Sequence, residues 1–357
     1  MKNVGIMTLH IGDNYGALLQ CYALRQMLNS FSDVRAEIIN FDPGREFPVY
    51  DDAGIQEKYC RKLEKFRKFN EVCNGVSGKA FRDIHTLETM NYEYYITGSD
   101  QVWNTSFVFA NEAYFLNFTP PDAKKIAYAP SIGLPLSSPK LRREWFERNI
   151  PTFDFLSLRE MSHEKFLKEF TDKRIHSVVD PVLLLENKDY DELCGQEEYP
   201  QGEYLVLYFL KHDNSALLLT EFANMVSRKF NLKIIYSFAT VFPQTFKNDS
   251  ETFYYSGPKE FVQLVKHAKA VITNSFHGTI FSIKYHIPFF TYIVGSMASR
   301  VTDFLKSIGL ENRIVYGYRK LSEDMLQMDF TKVDIILEEK KRESIHYLKM
   351  ALGLEEE

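Results

Sequence analysis

The sequence has no block of basic residues. Its formal net charge is −5 over 357 residues, and lysines and arginines are spread along the chain. The densest basic run, between Lys58 and Lys68, is interrupted by glutamate and therefore indicates the solvated face of a helix. Because binding to a phosphate backbone needs clustered basic side chains, we expect no nucleic-acid partner.

Cysteine is scarce and never closely paired. The four cysteines, Cys21, Cys60, Cys73 and Cys194, lie far apart and form no CxxC pair. This spacing suggests neither a disulfide framework nor a zinc site, and it favours a reducing, cytoplasmic compartment. No cluster of ligand residues predicts a bound metal ion, although a magnesium ion on a bound phosphate would need few protein ligands.

Long apolar runs are also missing. The N-terminal stretch MKNVGIMTLHIGDNYG is broken by Thr8, His10 and Asp13, so we do not expect it to act as a signal peptide. No other window has the uninterrupted length that a membrane span needs. We therefore expect a protein of the cytoplasm or of the inner face of the membrane, with at most peripheral membrane contact.

The patterns that are present predict an α/β fold. NVGIMTL reads as a buried strand, ALLQCYALRQMLN as a helix and AEIINF as the next strand, which together form a βαβ unit. After a polar loop the pattern restarts with YLVLYFL and repeats. We expect two Rossmann-like domains facing a central cleft, at residues 1–186 and 187–357. The first should carry a helical insertion near 51–90, and the C-terminal helix should pack back on it.

One histidine stands where ligands bind in such a fold. AVIT reads as a strand, NSFHG as the loop that follows, and a helix begins at once, so Ser275, His277 and Gly278 lie at a helix N-terminus. That position attracts phosphate or carboxylate and favours a neutral imidazole able to take a proton. Lys284 shares the helix face of His277 and could add positive charge. Alternatively, His277 caps the helix or packs inside a domain junction.

The loop GSDQVWN joins an acid, an amide and an aromatic ring after a strand. Acids and amides bind sugar hydroxyls while an aromatic ring stacks on the apolar face of the sugar, so Ser99, Asp100, Gln101 and Trp103 are candidates for substrate binding. The alternative is a structural turn in which Trp103 fills a gap in the core.

Three further residues are candidates for the site. Arg159, at the end of the strand FLSLR, could bind an anion through two nitrogens, or else pair with a carboxylate. Arg300 in MASRV supports a similar hypothesis. The loop GDNYG matches neither GxGxxG nor the Walker pattern, so Asn14 and Gly16 are expected to shape the turn, with Asn14 kept as a substrate-binding candidate.

Several segments together resemble one family, the polysaccharide pyruvyl transferases. In chain order they are NYGALLQCYAL, GSDQVWN, YAPSIG, LSLRE, DPVLLL, GPKEFVQLVKHAKAVITNSFHG and the later Pro288. The resemblance implies a GT-B-like two-domain fold and transfer of a group from phosphoenolpyruvate to sugar hydroxyls as a ketal. It also implies that His277 is the general acid/base and that Arg159 holds phosphate or carboxylate.

One position departs from the family pattern. Many members have Arg-Phe-His where this chain has Ser275, Phe276 and His277. Lys284, Arg300 or backbone N–H groups could replace the missing guanidinium; otherwise the donor differs or catalysis has been lost.

We therefore predict a pyruvyltransferase that acts on a cell-surface polysaccharide or its precursor in cell-envelope biosynthesis. Phosphoenolpyruvate would be the donor substrate, with no separate cofactor, and a sugar or lipid-linked oligosaccharide the acceptor. Two alternatives stay open. One is a glycosyltransferase that uses a nucleotide sugar, and the other is a non-catalytic sugar-binding or scaffold protein. The sequence indicates no oligomeric state.

Overall fold

The chain forms two parallel β-sheets flanked by helices. The computed structural model describes residues 1–76, 78–210, 214–239, 255–293, 298–316 and 321–355. Every strand pair in both sheets is parallel, which confirms the predicted α/β class. Helices cover both faces of such sheets, and this explains why the inner strands read as uninterrupted apolar runs.

The first sheet has six strands in the order β2-β1-β3-β4-β5-β6. Their bounds are β1 Lys2–Met7, β2 Val34–Ile38, β3 Tyr94–Thr97, β4 Lys124–Ala127, β5 Phe155–Leu158 and β6 Ile175–Ser177. The helices along this part of the chain are α1 Tyr15–Asn29, α2 Ala53–Val72, α3 Ile84–Leu87, α4 Arg143–Asn149, α5 Glu164–Leu167 and α6 Asn187–Cys194. Helices α2 and α3 occupy the predicted insertion between β2 and β3.

The second sheet has five strands in the order β11-β10-β9-β7-β8. Their bounds are β7 Tyr204–Phe209, β8 Lys233–Phe238, β9 Ala270–Thr273, β10 Phe289–Tyr292 and β11 Ile314–Val315. The helices are α7 Asn214–Phe230, α8 Pro258–Lys266, α9 Phe276–Lys284, α10 Ala298–Ser307 and α11 Thr331–Ala351. None of the helices in the described ranges is both long enough and apolar enough to cross a membrane.

The two sheets share an apolar core. One cluster of buried residues contains Val4 and Leu18 from the first sheet and its helix together with Val206 and Phe261 from the second part of the chain. The rings of Tyr15 and Phe261 stack with their centroids 4.5 Å apart. The carboxyl ends of the strands are the places where ligands bind in parallel sheets.

The inserted helix α2 reaches the second sheet through a buried lysine. Lys62 Nζ donates hydrogen bonds to the carbonyl oxygens of Phe238 and Ala239, at the end of β8. Its ammonium group also lies 4.8 Å from the centre of the Tyr15 ring. Lys65, one turn further on, pairs with Glu260 on α8. Helix α2 therefore connects the two halves by polar contacts.

The C-terminal helix α11 contacts the first sheet. The Tyr347 hydroxyl donates to the carbonyl oxygen of Ala127, the last residue of β4, at 2.9 Å. The N–H of Val179, just after β6, donates to Ser344 Oγ at 2.9 Å. The final helix thus fastens the segment that follows β6.

We predict that Lys62 makes the free energy of unfolding increase between neutral and alkaline pH. Burial lowers its pKa to about 7, whereas the unfolded chain titrates near 10.5. Between these values the unfolded chain binds more protons, so the free energy of unfolding rises with pH, by at most about 1.4 kcal/mol per pH unit. Lys62→Met should lose the Lys62 contribution, so that its unfolding free energy in urea rises less than that of the wild type between pH 7 and pH 10.

The control is Lys68→Met, which removes an exposed lysine from the same helix. Its unfolding free energy should run parallel to that of the wild type across the pH range. If Lys62→Met also ran parallel to the wild type, Lys62 would not have a lowered pKa in the folded protein.

Candidate active site

Four strand ends meet around one buried carboxylate, that of Asp180. Asp180 follows β6, and its Oδ1 accepts the Val182 N–H at 3.1 Å, which starts a 3₁₀ turn over Pro181–Leu183. Its Oδ2 accepts from Arg159 Nη1 at 2.7 Å and from Ser99 Oγ at 3.1 Å. His277 Nε2 lies 3.5 Å from the same oxygen. The ends of β3, β5, β6 and β9 are therefore joined at this group.

The carboxyl group of Asp180 is ionised although it is fully buried. Burial alone would raise its pKa, but the neighbouring His277 ring, the Arg159 guanidinium and the Val182 N–H together hold the pKa well below its usual range. A carboxylate beside an imidazole also fixes the orientation of the ring. Asp180 and His277 thus form a buried carboxylate–imidazole pair.

His277 is placed by two helix N-termini. It lies in the first turn of α9, where Ser275 is the N-cap and its Oγ accepts the Gly278 N–H at 3.3 Å. Helix α1 begins beside it, capped by Asn14, whose side chain accepts the Gly16 N–H at 2.9 Å. The His277 side chain is buried, and its Nε2 faces Asp180 Oδ2 at 3.5 Å, with no closer hydrogen-bond partner among the described residues. The imidazole therefore lies against the carboxylate without a short hydrogen bond to it.

The imidazole ring of His277 leaves no space for a side chain at position 16. A Cβ atom at this position would lie 2.1 Å from His277 Nδ1, well inside van der Waals contact. Asn14 and Gly16 do shape the turn into α1, and Gly16 also makes room for His277. Gly278 is similarly confined, because a Cβ there would lie 2.8 Å from Thr273 Oγ1.

Arg159 pairs with two carboxylates. Its Nε donates to Glu160 at 2.9 Å and its Nη1 to Asp180 at 2.7 Å, and the Phe276 ring centre lies 4.2 Å from its Cζ. Its Nη2 is buried without a partner among the described residues. Of the two alternatives expected for Arg159, pairing with a carboxylate is the one observed, and it leaves Nε and Nη1 occupied.

Arg300 lies on α10 and is buried with its Nε unpartnered in the described part of the chain. Burial lowers the pKa of its guanidinium, the charge of Arg159 lowers it further, and Glu160 and Asp100 act in the opposite direction. Arg300 is therefore a second guanidinium beside the same group of charges.

The GSDQVWN loop supplies both site and support residues. Ser99 bonds to Asp180, and Asp100 takes a left-handed backbone conformation with φ 70°, its Oδ1 accepting the Gln101 N–H at 2.9 Å. Gln101 Oε1 accepts from Asn104 Nδ2 at 2.7 Å, which braces the loop. Ser99 and Asp100 thus face the charge cluster, whereas Gln101 holds the turn.

Trp103 does not face a ligand. It is fully buried, and its ring stacks on Phe115 with the planes 5° apart and the centroids 5.3 Å apart. Phe146 and Phe153 pack against it edge-on. The alternative that Trp103 fills the core is the one observed, so no face of the ring is available for a sugar.

Lys284 points away from the cluster. Its Nζ donates to the carbonyl oxygen of Leu185 and lies 5.3 Å from the centre of the Tyr190 ring. Burial and the nearby Lys341 lower its pKa to about 8. It shares a helix face with His277, but seven residues separate the two by about 10 Å along the axis. The expected charge contribution to an anion site is therefore corrected.

Sequence reasoning missed three residues of this cluster. Asp180 and Glu160 carry the charges that pair with Arg159, and the Tyr208 hydroxyl on β7 is buried without a partner. Asp180 precedes a proline at a strand end, which is a usable signal for a turn-capping acid. Tyr208 lies inside an apolar strand run and has no such signal. In the described ranges no group of three His, Cys, Asp or Glu side chains could hold a metal ion.

Comparison with known families bears directly on this site. Residues 14–296 match the sequence profile described as polysaccharide pyruvyl transferase, which is most of the chain. The chain belongs to this family. The predicted resemblance and the predicted class, a transferase, are thereby confirmed, and Asn14, Arg159, Asp180 and His277 all lie inside the matched segment of this pyruvyl transferase family member.

Solved structures show the same fold. The S. aureus MnaA protein in complex with UDP is 10% identical, with a TM-score of 0.53 and coverage of 100% of this chain and 98% of that one. The Neisseria meningitidis UDP-GlcNAc 2-epimerase bound to UDP-GlcNAc is 11% identical, with a TM-score of 0.47 and coverage of 95% and 99%. No curated protein sequence matches the chain. The likeness to the first of these structures concerns the fold alone, and it agrees with the predicted two-domain GT-B-like class.

We predict that Gly16→Ala disturbs His277. The added methyl group would overlap the imidazole, so the free energy of unfolding should fall by about 1–3 kcal/mol. The NMR signal of the His277 ring should move as well. The control is Gly54→Ala, at the second position of α2, where a Cβ meets only Asp52 Oδ1 at 3.2 Å and alanine suits a helix. Equal stability and an unmoved His277 signal in Gly16→Ala would refute the close contact.

Proposed function

We propose that the chain transfers a pyruvyl group from phosphoenolpyruvate to two hydroxyls of a sugar, forming a ketal on a cell-surface polysaccharide or its precursor. The observation that carries this proposal is the buried pair of Asp180 and His277, in which the imidazole Nε2 lies 3.5 Å from the carboxylate oxygen. Membership in the pyruvyl transferase family supports the reaction class.

The pair suits the proton transfers of this reaction. Protonated His277 gives its proton to the methylene carbon of phosphoenolpyruvate while a first sugar hydroxyl attacks the adjacent carbon. The proton of that hydroxyl passes to the imidazole. A second hydroxyl then displaces phosphate and closes the ketal, and its proton leaves on the released phosphate. Asp180 stays ionised throughout and holds the imidazole in place for these transfers.

Arg159 serves this chemistry by placing Asp180. It is held on both sides by carboxylates and lies against Phe276, the neighbour of His277. Its contribution is therefore to fix the acid–base pair, while its free Nη2 can still meet substrate. Ser99 supports the same carboxylate from the GSDQVWN loop.

The acceptor is proposed to be a sugar or a lipid-linked oligosaccharide. Such a precursor would be reached in the cytoplasm or by peripheral contact at the inner face of the membrane. Phosphoenolpyruvate acts as a consumed donor substrate, so the proposed reaction needs no resident cofactor.

The test is a donor-dependent assay with matched histidine variants. Wild-type protein is incubated with phosphoenolpyruvate and a panel of sugar acceptors, and released phosphate and the pyruvylated product are measured. His277→Gln should reduce turnover by roughly 10²- to 10⁴-fold, since the proton donor is lost, and Asp180→Asn should reduce it by a similar order. His286→Gln, which changes an exposed histidine just after the same helix, should leave turnover unchanged.

Nucleotide sugars are included as competing donors. Sugar transfer from one of them, without turnover of phosphoenolpyruvate, would replace the proposal with glycosyl transfer. Full turnover by His277→Gln would remove the histidine from the chemistry. Sugar binding without turnover of any donor would favour the non-catalytic alternative.

A further inference from the structure

Arg300 is a buried cation whose Nε has no partner. Its side chain is 4% exposed, and Nε makes no hydrogen bond in the part of the chain that the structure describes. The carboxylates of Glu160 and Asp100 are near enough to act on its charge. A guanidinium keeps its proton on burial, and buried charges in folded proteins are paired or bind ions. The unpartnered Nε therefore indicates room for an anion.

The fold holds Arg300 beside the acid–base pair. Phe304, one helical turn further along α10, packs edge-on against Phe276 with ring centroids 5.6 Å apart. Phe276 in turn covers Arg159 and directly precedes His277. Because positions four apart share a helix face, Arg300 lies on the side of α10 that faces this group.

Unpartnered polar atoms accumulate at the same place. Arg159 Nη2, Arg300 Nε, Glu160 Oε2 and His277 Nε2 are all buried without hydrogen-bond partners in the described ranges. Helix α10 contacts the 3₁₀ turn Met161–His163, which follows Arg159 and Glu160 immediately. Such a set is typical of a polar site that a ligand completes.

Arg159 and Arg300 differ in how many of their guanidinium nitrogens are already hydrogen-bonded. Arg159 has two of its nitrogens bound to Glu160 and Asp180, whereas Arg300 has its buried Nε unpartnered within the described ranges. Ser275 cannot supply charge, and its hydroxyl is already the cap of α9. A planar guanidinium is well suited to bind phosphate or carboxylate through two nitrogens.

We infer that Arg300 is the residue that binds the anionic end of the donor substrate, supplying from α10 the guanidinium that many family members carry at the position of Ser275. Arg159 is then a positioning residue, acting through Asp180. The identity of the donor in this inference rests on the proposed function. The anion site itself, which would bind phosphate or carboxylate, does not.

The test compares Arg300→Gln with Arg159→Gln, using phosphoenolpyruvate and inorganic phosphate as separate probes. Calorimetric titration should show phosphoenolpyruvate bound about 10- to 100-fold more weakly by Arg300→Gln, since charge-assisted hydrogen bonds are lost. The unliganded Arg300→Gln protein should be at least as stable as the wild type, because a buried charge whose Nε lacks a partner has been removed. Arg159→Gln should instead lose stability, because two buried carboxylates lose their partner.

A control variant and the possible outcomes distinguish a failure of this inference from a failure of the proposed function. Arg61→Gln, on the exposed face of α2, should match the wild type in binding and stability. Equal phosphoenolpyruvate affinity in wild type and Arg300→Gln would overturn the inference and leave the proposed function standing. If the wild type binds only inorganic phosphate and Arg300→Gln loses it, the anion site stands and the donor is another phosphate compound. A wild type that binds neither probe would overturn both.

Discussion

The buried carboxylate of Asp180 is the interaction on which the site depends. A charge removed from water is tolerated only when donors surround it, and here the donors come from Val182, Ser99 and Arg159, with His277 close by. The three donors follow strands of the first sheet, whereas His277 follows β9 of the second. The carboxylate therefore meets the histidine only when the loops of both halves are in place, and site assembly depends on the packing of the two halves.

The fold could be predicted from the sequence because its signals are local. The strand Ala270–Thr273 and the helix from Phe276 follow from a short apolar run, a capping serine and helical periodicity, and both are observed. Charge pairing is different, since Ser99 and Asp180 are 81 positions apart and no spacing rule joins them. Exposure also depends on residues far apart in the sequence. Trp103 is of a type suited to binding sugars, but it stacks on Phe115 in the core. Lys284 could bind an anion, but its ammonium group donates to the carbonyl oxygen of Leu185 instead.

The site combines two physical demands that oppose each other. Asp180 and Arg159 are mutually satisfied and give the cluster its geometry, whereas His277 and Arg300 retain unpartnered nitrogens that make it less stable than full pairing would. Departures from complete satisfaction of buried polar groups are expected where a protein binds ligands. The paired residues Asp180 and Arg159 thus fix the positions of His277 and Arg300.

The contacts of α11 have a consequence for how the protein matures during synthesis. Ser344 accepts a hydrogen bond from Val179, the residue before Asp180, and Tyr347 donates one to Ala127 at the end of β4. Both of these residues are synthesised long before α11. When the strands of the first sheet have been synthesised, the segment before Asp180 still lacks its hydrogen bond to the last helix. The site can mature only after the last helix has emerged, so nascent chains interrupted before residue 344 would carry the sheet without a finished acid–base pair.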